Sequence, residues 1–381
     1  MMNEKRLVEE FCELVKVDSE TGYEQEISKL LKAKLEHLGF EVQEDDSMGQ
    51  TGHGANNLIA FLPATVDAIN EPTLLFTCHM DTVTPGKGVK PQVDADGYIR
   101  SDGTTILGAD DKAGIAALFE AVRVIKETKQ SHAAIQFIIT VGEEAGLKGA
   151  MALDSSLIKA KYGYALDSNG AVGDIAVAAP TQAHVVIEII GKTAHAGVSP
   201  EKGISAIQVA AKAVSKMKLG RIDHETTANI GKFEGSGPTN IVNDYVKIVA
   251  EARSIVQHKL DAQVTSMKEA VEEAVAQFGA KANFESKIVY PAYCHEESEP
   301  VVQLASAAIK QIGKTPRCFH SGGGSDANIF NGKGVPTVNL AVGYEHIHTT
   351  NEQIKVENLV KISELAQTII SLSAKYSEVI K

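Results

Sequence analysis

Short apolar runs alternate with amphipathic helical patterns over the first part of this chain. The clearest runs are Leu74–Cys78 and Ala134–Val141, and a helical pattern from about Lys112 to Thr128 lies between them. Strands and helices that alternate in this way predict an α/β layer with a mostly parallel central sheet. The carboxyl ends of parallel strands meet at one edge of such a sheet, and ligands bind there.

The pattern changes over residues 180–290, where the predicted order of elements is β-α-β-β-α-β. That order is the split βαβ or ferredoxin-like α+β unit. After Pro291 the α/β pattern returns, with a strand at Val335–Val342 and a long helix at Val356–Tyr376. A chain of 381 residues commonly forms two domains. We therefore predict one α/β domain from residues 1–179 and 291–381, with an α+β domain inserted at 180–290.

Composition and charge exclude several classes of protein. The formal net charge of −12 disfavours binding to nucleic acid and to anionic membranes. No apolar run approaches the roughly 18 residues of a membrane span, and the charged N-terminus does not resemble a signal peptide. Four scattered cysteines without a C-x-x-C pair favour a reducing cytoplasm and argue against a thiolate zinc site.

Histidines and carboxylates follow the predicted buried strands. His79 and Asp81 come after Leu74–Cys78, and Asp110 and Asp111 begin the next helix. An imidazole suits zinc and similar metals, and a carboxylate can orient its ring. Taken singly, the first pair is better explained by a surface position, and the second by capping and the helix dipole.

Three further groups extend this pattern. Glu143 and Glu144 follow the run Ala134–Val141, Asp167 follows a strand at 164–166, and His348 follows the strand near the C-terminus. Two neighbouring glutamates are ordinary on a solvated loop, and a lone Asp often only forms a turn. In a metal site, one Glu would be a ligand and the other would transfer protons.

Charge counting supports a site for two metals. Two divalent cations carry +4, Asp110, Glu144 and Asp167 supply −3, and His79 and His348 are neutral ligands. A bridging hydroxide, the nucleophile of two-metal hydrolases, would balance the remaining charge. Nitrogen and oxygen ligands suit zinc, with cobalt or manganese as alternatives.

These residues, taken in order, resemble the M20 family of di-metal peptidases. The resemblance covers the whole chain, and within that family the sequence is most similar to the tripeptidase T (aminotripeptidase) branch. It implies a di-metal exopeptidase-like catalytic domain with an inserted lid and dimerisation domain. The segments that carry it are Thr77–Val83, Leu107–Gly114, Glu143-Glu144, Asp167 and His348.

The resemblance also implies a role for each matched residue. His79 and Asp167 would hold one metal, Glu144 and His348 the other, and Asp110 would bridge them. His346 is a competing ligand candidate for His348.

Further roles are implied outside the ligand set. Asp81 would orient His79, Glu143 would be the general base, and the Asp110–Asp111 peptide bond would be cis. His195 would stabilise the tetrahedral oxyanion, commonly in the partner subunit of a homodimer. The residues that would contact substrate are Asn240, Arg253, Gly323 and Ser325.

The expected function is a cytoplasmic, metal-dependent exopeptidase that hydrolyses short peptides, as a tripeptide aminopeptidase does. The segment Ile347–Glu352 departs from the usual tripeptidase continuation, which leaves the peptide length open. Another M20-type amide hydrolase is an alternative: a dipeptidase, a carboxypeptidase or an N-acyl amino acid deacylase. A catalytically silent binding scaffold is a more remote one.

Overall fold

The computed structural model describes residues 2–379 of the chain, which divides into two compact units. The first unit contains the residues up to Val177, His295–His320 and the residues from Ser325 onward. The second contains Ala178–Cys294 and Ser321–Gly324. No helix within residues 2–379 has both the length and the apolar character that a membrane span requires.

The first unit is an α/β layer. Its helices are α1 (Glu4–Val15), α2 (Gln25–His37), α3 (Ser47–Thr51), α4 (Ala109–Thr128), α5 (Lys148–Ala152), α8 (Pro300–Gln311), α9 (Asp326–Gly332), α10 (Val356–Ser373) and α11 (Tyr376–Val379). Its strands are β1 (Glu41–Glu44), β2 (Leu58–Leu62), β3 (Leu74–His79), β4 (Gln92–Val93), β5 (Tyr98–Arg100), β6 (Ile135–Thr140), β7 (Tyr162–Ser168), β15 (Arg317–His320), β16 (Thr337–Ala341), β17 (Tyr344–Glu345) and β18 (Gln353–Lys355). Strand β8 (Asp174–Ala179) begins in this unit and ends in the second.

Four parallel strands, in the order β6-β3-β7-β16, form the centre of the main sheet. Strands β2 and β1 extend it antiparallel beyond β6, and β8 pairs antiparallel with β16. Every residue of β3, β6 and β16 is buried, as expected for strands covered on both faces. The predicted mostly parallel centre is confirmed, and the carboxyl ends of its strands share one edge.

The second unit is an antiparallel sheet with two helices, α6 (Ala206–Lys216) and α7 (Gln257–Phe278). Its sheet has the order β10-β11-β12-β9-β13, which contains the ferredoxin-like arrangement. Alternate residues of the central strands point into a core shared with the helices, as Val185, Ile187 and Ile189 do. The strands are β9 (Thr181–Ile190), β10 (Gly220–Arg221), β11 (Thr226–Glu234), β12 (Tyr245–Ser254), β13 (Lys281–Tyr290) and β14 (Tyr293–Cys294).

Several elements differ from the sequence-based predictions. Helix α4 extends back to Ala109, but Asp110 and Asp111 have non-helical backbone angles, so its regular part begins near Lys112, as predicted. The predictions missed β8, because its alanines are a weak strand signal, and α9, because it has only seven residues. They also extended the long C-terminal helix to Tyr376, whereas α10 ends at Ser373.

A buried ion pair joins the first helix to α4. The Nε atom of Arg6 lies 2.7 Å from a carboxylate oxygen of Glu120, whose side chain is fully buried, and Arg6 also pairs with Glu127. Removing one partner of such a pair leaves a desolvated charge without compensation.

We expect Arg6→Met to lower the free energy of unfolding by about 2 kcal/mol, since Arg6 is partly exposed and a fully buried pair loses about 3–5 kcal/mol. Urea titration measures this loss. Lys5→Met is the matched control, because its pair with Glu9 is exposed and should contribute little. Equal effects of the two variants would contradict the assignment.

Candidate di-metal site

The carboxyl edge of the central sheet collects the histidines and carboxylates that the sequence singled out. His79 is the last residue of β3, Glu144 follows β6, and Asp167 lies near the end of β7. Asp110 lies in the first turn of α4, and His348 lies in the loop after β17. Among residues 2–379, two groups at this edge have ligand atoms within 4.8 Å of one another: His79, Asp110 and Glu144, and His79, Asp111 and Asp167.

Asp110 lies between the two histidines. One carboxylate oxygen of Asp110 is 3.1 Å from His79 Nε2, and the other is 3.4 Å from His348 Nε2. His79 Nε2 is also 3.7 Å from Asp167, and His348 Nε2 is 2.9 Å from Glu144. The side chains therefore form two halves that share Asp110. The Asp110–Asp111 peptide bond is cis, as the resemblance implies.

The pKa shifts reflect buried charge. Burial, and then the Asp110 carboxylate, raise the pKa of Asp167 well above its usual range. Burial alone would lower the pKa of His79, but its bonds to Asp110 and Asp81 raise it instead. Hydrogen bonds to Asp110 and Glu144 raise the pKa of His348 to about 10.

The donor set fits divalent cations. Within residues 2–379, no Lys or Arg forms an ion pair with Asp110, Asp111, Glu143, Glu144 or Asp167. Buried carboxylates need such compensation, and imidazole and carboxylate ligands together suit zinc, cobalt and manganese. The proposed ligands therefore match two metal ions in number and chemistry.

Asp81 holds the loop that follows β6. Its carboxylate accepts the backbone N–H groups of Glu143 at 3.0 Å and Glu144 at 3.3 Å, and the Thr21 hydroxyl at 2.7 Å. The nearest acceptor for Nδ1 of His79 is the backbone carbonyl of Asp81 at 2.9 Å, whereas the carboxylate is 3.6 Å away. The expected orientation of His79 thus comes mainly from the main chain of Asp81.

Sequence reasoning missed other residues around the site. The Asn339 side chain bonds both the N–H and the carbonyl of Asp167, and the Tyr344 hydroxyl lies 3.3 Å from the Asp167 carboxylate. Asp326 is buried and accepts a hydrogen bond from Thr140, and burial raises its pKa to about 6. Asn339 was detectable in principle as the polar residue inside an apolar strand.

His346 stands apart from the cluster. Both His346 and His348 are exposed, but Nε2 of His348 lies 2.9 Å from Glu144 and 3.4 Å from Asp110, whereas within residues 2–379 the His346 ring forms no ion pair with a carboxylate. The geometry therefore favours His348 over His346 as the histidine of the second half.

Three proposed substrate or oxyanion residues lie in the second unit. Nδ1 of His195 accepts backbone N–H groups of Gly197 and Val198, each at 3.2 Å, so a neutral ring carries its proton on Nε2. The Asn240 carbonyl accepts the N–H of the residue after His195. Arg253 pairs with Glu251 at 2.9 Å on the same strand face.

The glycine-rich loop spans both units. Gly323, in the second unit, is exposed and donates its N–H to Ser321. Ser325, in the first unit, is the N-cap of α9: its hydroxyl accepts the N–H of Ala327, and its own N–H donates to Asn328. Because both groups are engaged within the protein, Ser325 has a structural role in the helix start, and its contact with substrate stays a prediction.

A mostly parallel sheet with histidines and carboxylates at its carboxyl edge defines a metallohydrolase type of site. The chain belongs to peptidase family M20/M25/M40, whose model matches residues 75–371, and it is a metallopeptidase. It is 60% identical to the aminopeptidase PepT of Bacillus cereus, whose crystal structure matches 98% of this chain and 99% of that chain with a TM-score of 0.92. A Staphylococcus aureus tripeptidase structure is 48% identical over 98% of this chain and 100% of that chain, with a TM-score of 0.95. Peptidase T of Geobacillus thermodenitrificans is 27% identical over 97% of this chain and 98% of its own length.

Replacing His348 by Ala should lower the metal content of the purified protein, because it removes the histidine of one half of the site. Elemental analysis after equilibration with Zn²⁺ measures the change. His346→Ala is the matched control and should keep the metal content of the unaltered protein. The reverse result would transfer the ligand role to His346.

Proposed function

We propose that this protein is a tripeptide aminopeptidase that uses two divalent metal ions, most simply zinc. The observation that carries the proposal is the position of Asp110, whose two carboxylate oxygens face His79 and His348 separately. A carboxylate in that position can bridge two ions. The similar proteins named PepT and tripeptidase, at 60% and 48% identity, support the same substrate class.

The proposed ligands divide into two halves around this carboxylate. His79 and Asp167 would hold one ion, Glu144 and His348 would hold the other, and Asp110 would be shared. When bound, such ions polarise a peptide carbonyl and lower the pKa of a water molecule. Tyr344 and Asn339 hold Asp167, and Asp81 holds the Glu144 backbone.

Glu143 is the proposed general base. It precedes the proposed ligand Glu144, its N–H donates to Asp81 at 3.0 Å, and it is half-buried among other acidic groups. A carboxylate beside the site can accept a proton from the attacking water and pass it to the leaving amine. The hydrogen bond to Asp81 holds the backbone from which that carboxylate extends.

The second unit would supply the lid, with the boundaries predicted from the sequence, residues 180–290. In a neutral His195, Nε2 is a donor, because Nδ1 accepts two backbone N–H groups, and a donor is what an oxyanion requires. Asn240, Arg253 and Gly323 are the proposed substrate contacts. A homodimer, in which His195 acts across subunits, and a cytoplasmic location remain predictions.

Glu143→Gln should leave the metal content unchanged and lower kcat by about 10²–10⁴-fold, because the amide keeps the shape of the side chain but cannot accept a proton. Steady-state kinetics on a tripeptide, paired with elemental analysis, measures both quantities. Activity close to that of the unaltered enzyme would contradict the role of general base.

The reaction direction is tested with three forms of tri-alanine: the free peptide, its N-acetylated form and its C-terminal amide. We expect mass spectrometry to show cleavage of the free peptide and the amide but not of the acetylated form, because an aminopeptidase recognises the α-ammonium group. Cleavage of the acetylated peptide with loss of the amide would indicate a carboxypeptidase or an acyl amino acid hydrolase. No cleavage by metal-loaded protein would favour a non-peptide amide or the silent scaffold.

A further inference from the structure

Glu352 is a buried carboxylate to which neither the ligand set nor the proposed reaction gives a role. Its residue is only 1% exposed, and it lies four positions after His348 in the chain. One oxygen, Oε2, accepts the backbone N–H groups of Leu107 at 2.8 Å and Gly108 at 2.7 Å. The other, Oε1, accepts the N–H of Asp110 at 3.0 Å.

The three donors belong to the segment that leads into α4 and carries Asp110. The first N–H groups of a helix have no partner within the helix, so a segment of this kind depends on acceptors from elsewhere. Gly108 has a φ of +78°, a left-handed conformation that glycine adopts readily, and it turns the chain between the N–H groups that bond Oε2 and the N–H of Asp110, which bonds Oε1. Glu352 therefore satisfies the segment from a position more than 240 residues later in the chain.

These hydrogen bonds favour the ionised form of Glu352 and oppose the effect of burial, which raises its pKa to about 7. Within residues 2–379, Glu352 forms no ion pair with Lys or Arg. A buried carboxylate without such a pair is tolerated when several N–H groups donate to it, since hydrogen bonds to ionised groups are stronger than neutral ones. The carboxylate and the Asp110 segment thus depend on each other.

A short turn connects Glu352 to the second histidine. The N–H of Glu352 donates to the Thr349 carbonyl at 3.1 Å, and the N–H of Asn351 donates to the Thr349 hydroxyl at 3.2 Å. His348 directly precedes this turn, and its Nε2 lies 3.4 Å from Asp110. A single residue therefore bonds the backbone of Asp110 and belongs to the turn that carries His348.

We infer that Glu352 is a positioning residue of the metal site: it fixes the Asp110 segment against the His348 turn, so that each oxygen of Asp110 faces its own histidine. The inference rests on the proposed ligand set. Residues that hold ligands in this way commonly change metal affinity about 10–100-fold when they are replaced.

Glu352→Gln is the direct test, because the side chain keeps its size. Its single carbonyl oxygen can still accept the N–H groups of Leu107 and Gly108, but its NH₂ group then faces the N–H of Asp110. We expect Zn²⁺ affinity, measured without substrate by competition with a chromogenic chelator, to fall about 10–100-fold. Hydrogen exchange in the metal-free protein should become faster over residues 107–110.

Glu357→Gln is the matched control, since Glu357 is exposed in the first turn of α10. It should match the unaltered protein in both measurements. Unchanged affinity of Glu352→Gln would overturn the inference, even if exchange became faster. If the original chain bound no metal, the proposed function would fail first; if it bound metal and Glu352→Gln did so equally well, only this inference would fail.

Folding of the variant is checked by circular dichroism and thermal unfolding. If Glu352→Gln does not fold, Glu352→Asp keeps the charge and shortens the side chain by one methylene. A folded Glu352→Asp with weakened Zn²⁺ affinity would support the positioning role. Failure of both variants to fold would overturn it, because Glu352 would then be required by the fold and not specifically by the site.

Discussion

The parallel alignment of four central strands is the constraint on which the site depends. It places the ends of β3, β6 and β7 at one edge, so that His79, Glu144 and Asp167 come together from distant parts of the chain. Strands β3 and β6 are fully buried, so their apolar residues pack into the core on both faces of the sheet. Polar residues can be concentrated there only because the rest of each strand supplies the core.

Charge at this edge sets a second requirement. Carboxylates that crowd in a buried place destabilise a fold unless cations or hydrogen bonds compensate them. Here the Asp81 carboxylate accepts hydrogen bonds from N–H and O–H groups of the protein. The carboxylates of Asp110, Asp167 and Glu144 instead lie beside the two histidines. The division separates carboxylates that hold the backbone from carboxylates suited to bind metal.

Much of this arrangement could be predicted from the sequence, because strand runs and the residues after them are local signals. His79, Asp110, Glu144, Asp167 and His348 follow such signals, and the structure brings them together. Their supports could not be predicted in this way. Asn339 and Thr21 act through tertiary hydrogen bonds, and the role of Ser325 at the start of a helix depends on the hydrogen bonds that it forms there.

The carboxylate of Asp81 accepts the backbone N–H groups of two consecutive residues, Glu143 and Glu144. The backbone positions of the proposed base, Glu143, and of the proposed ligand, Glu144, are therefore held by one shared anchor and not by two independent ones. Any displacement of this loop moves Glu143 and Glu144 together. A change at Asp81 would therefore affect proton transfer and metal binding at the same time. During evolution, such a coupled pair would preserve the chemistry while leaving changes in substrate preference to residues elsewhere in the chain.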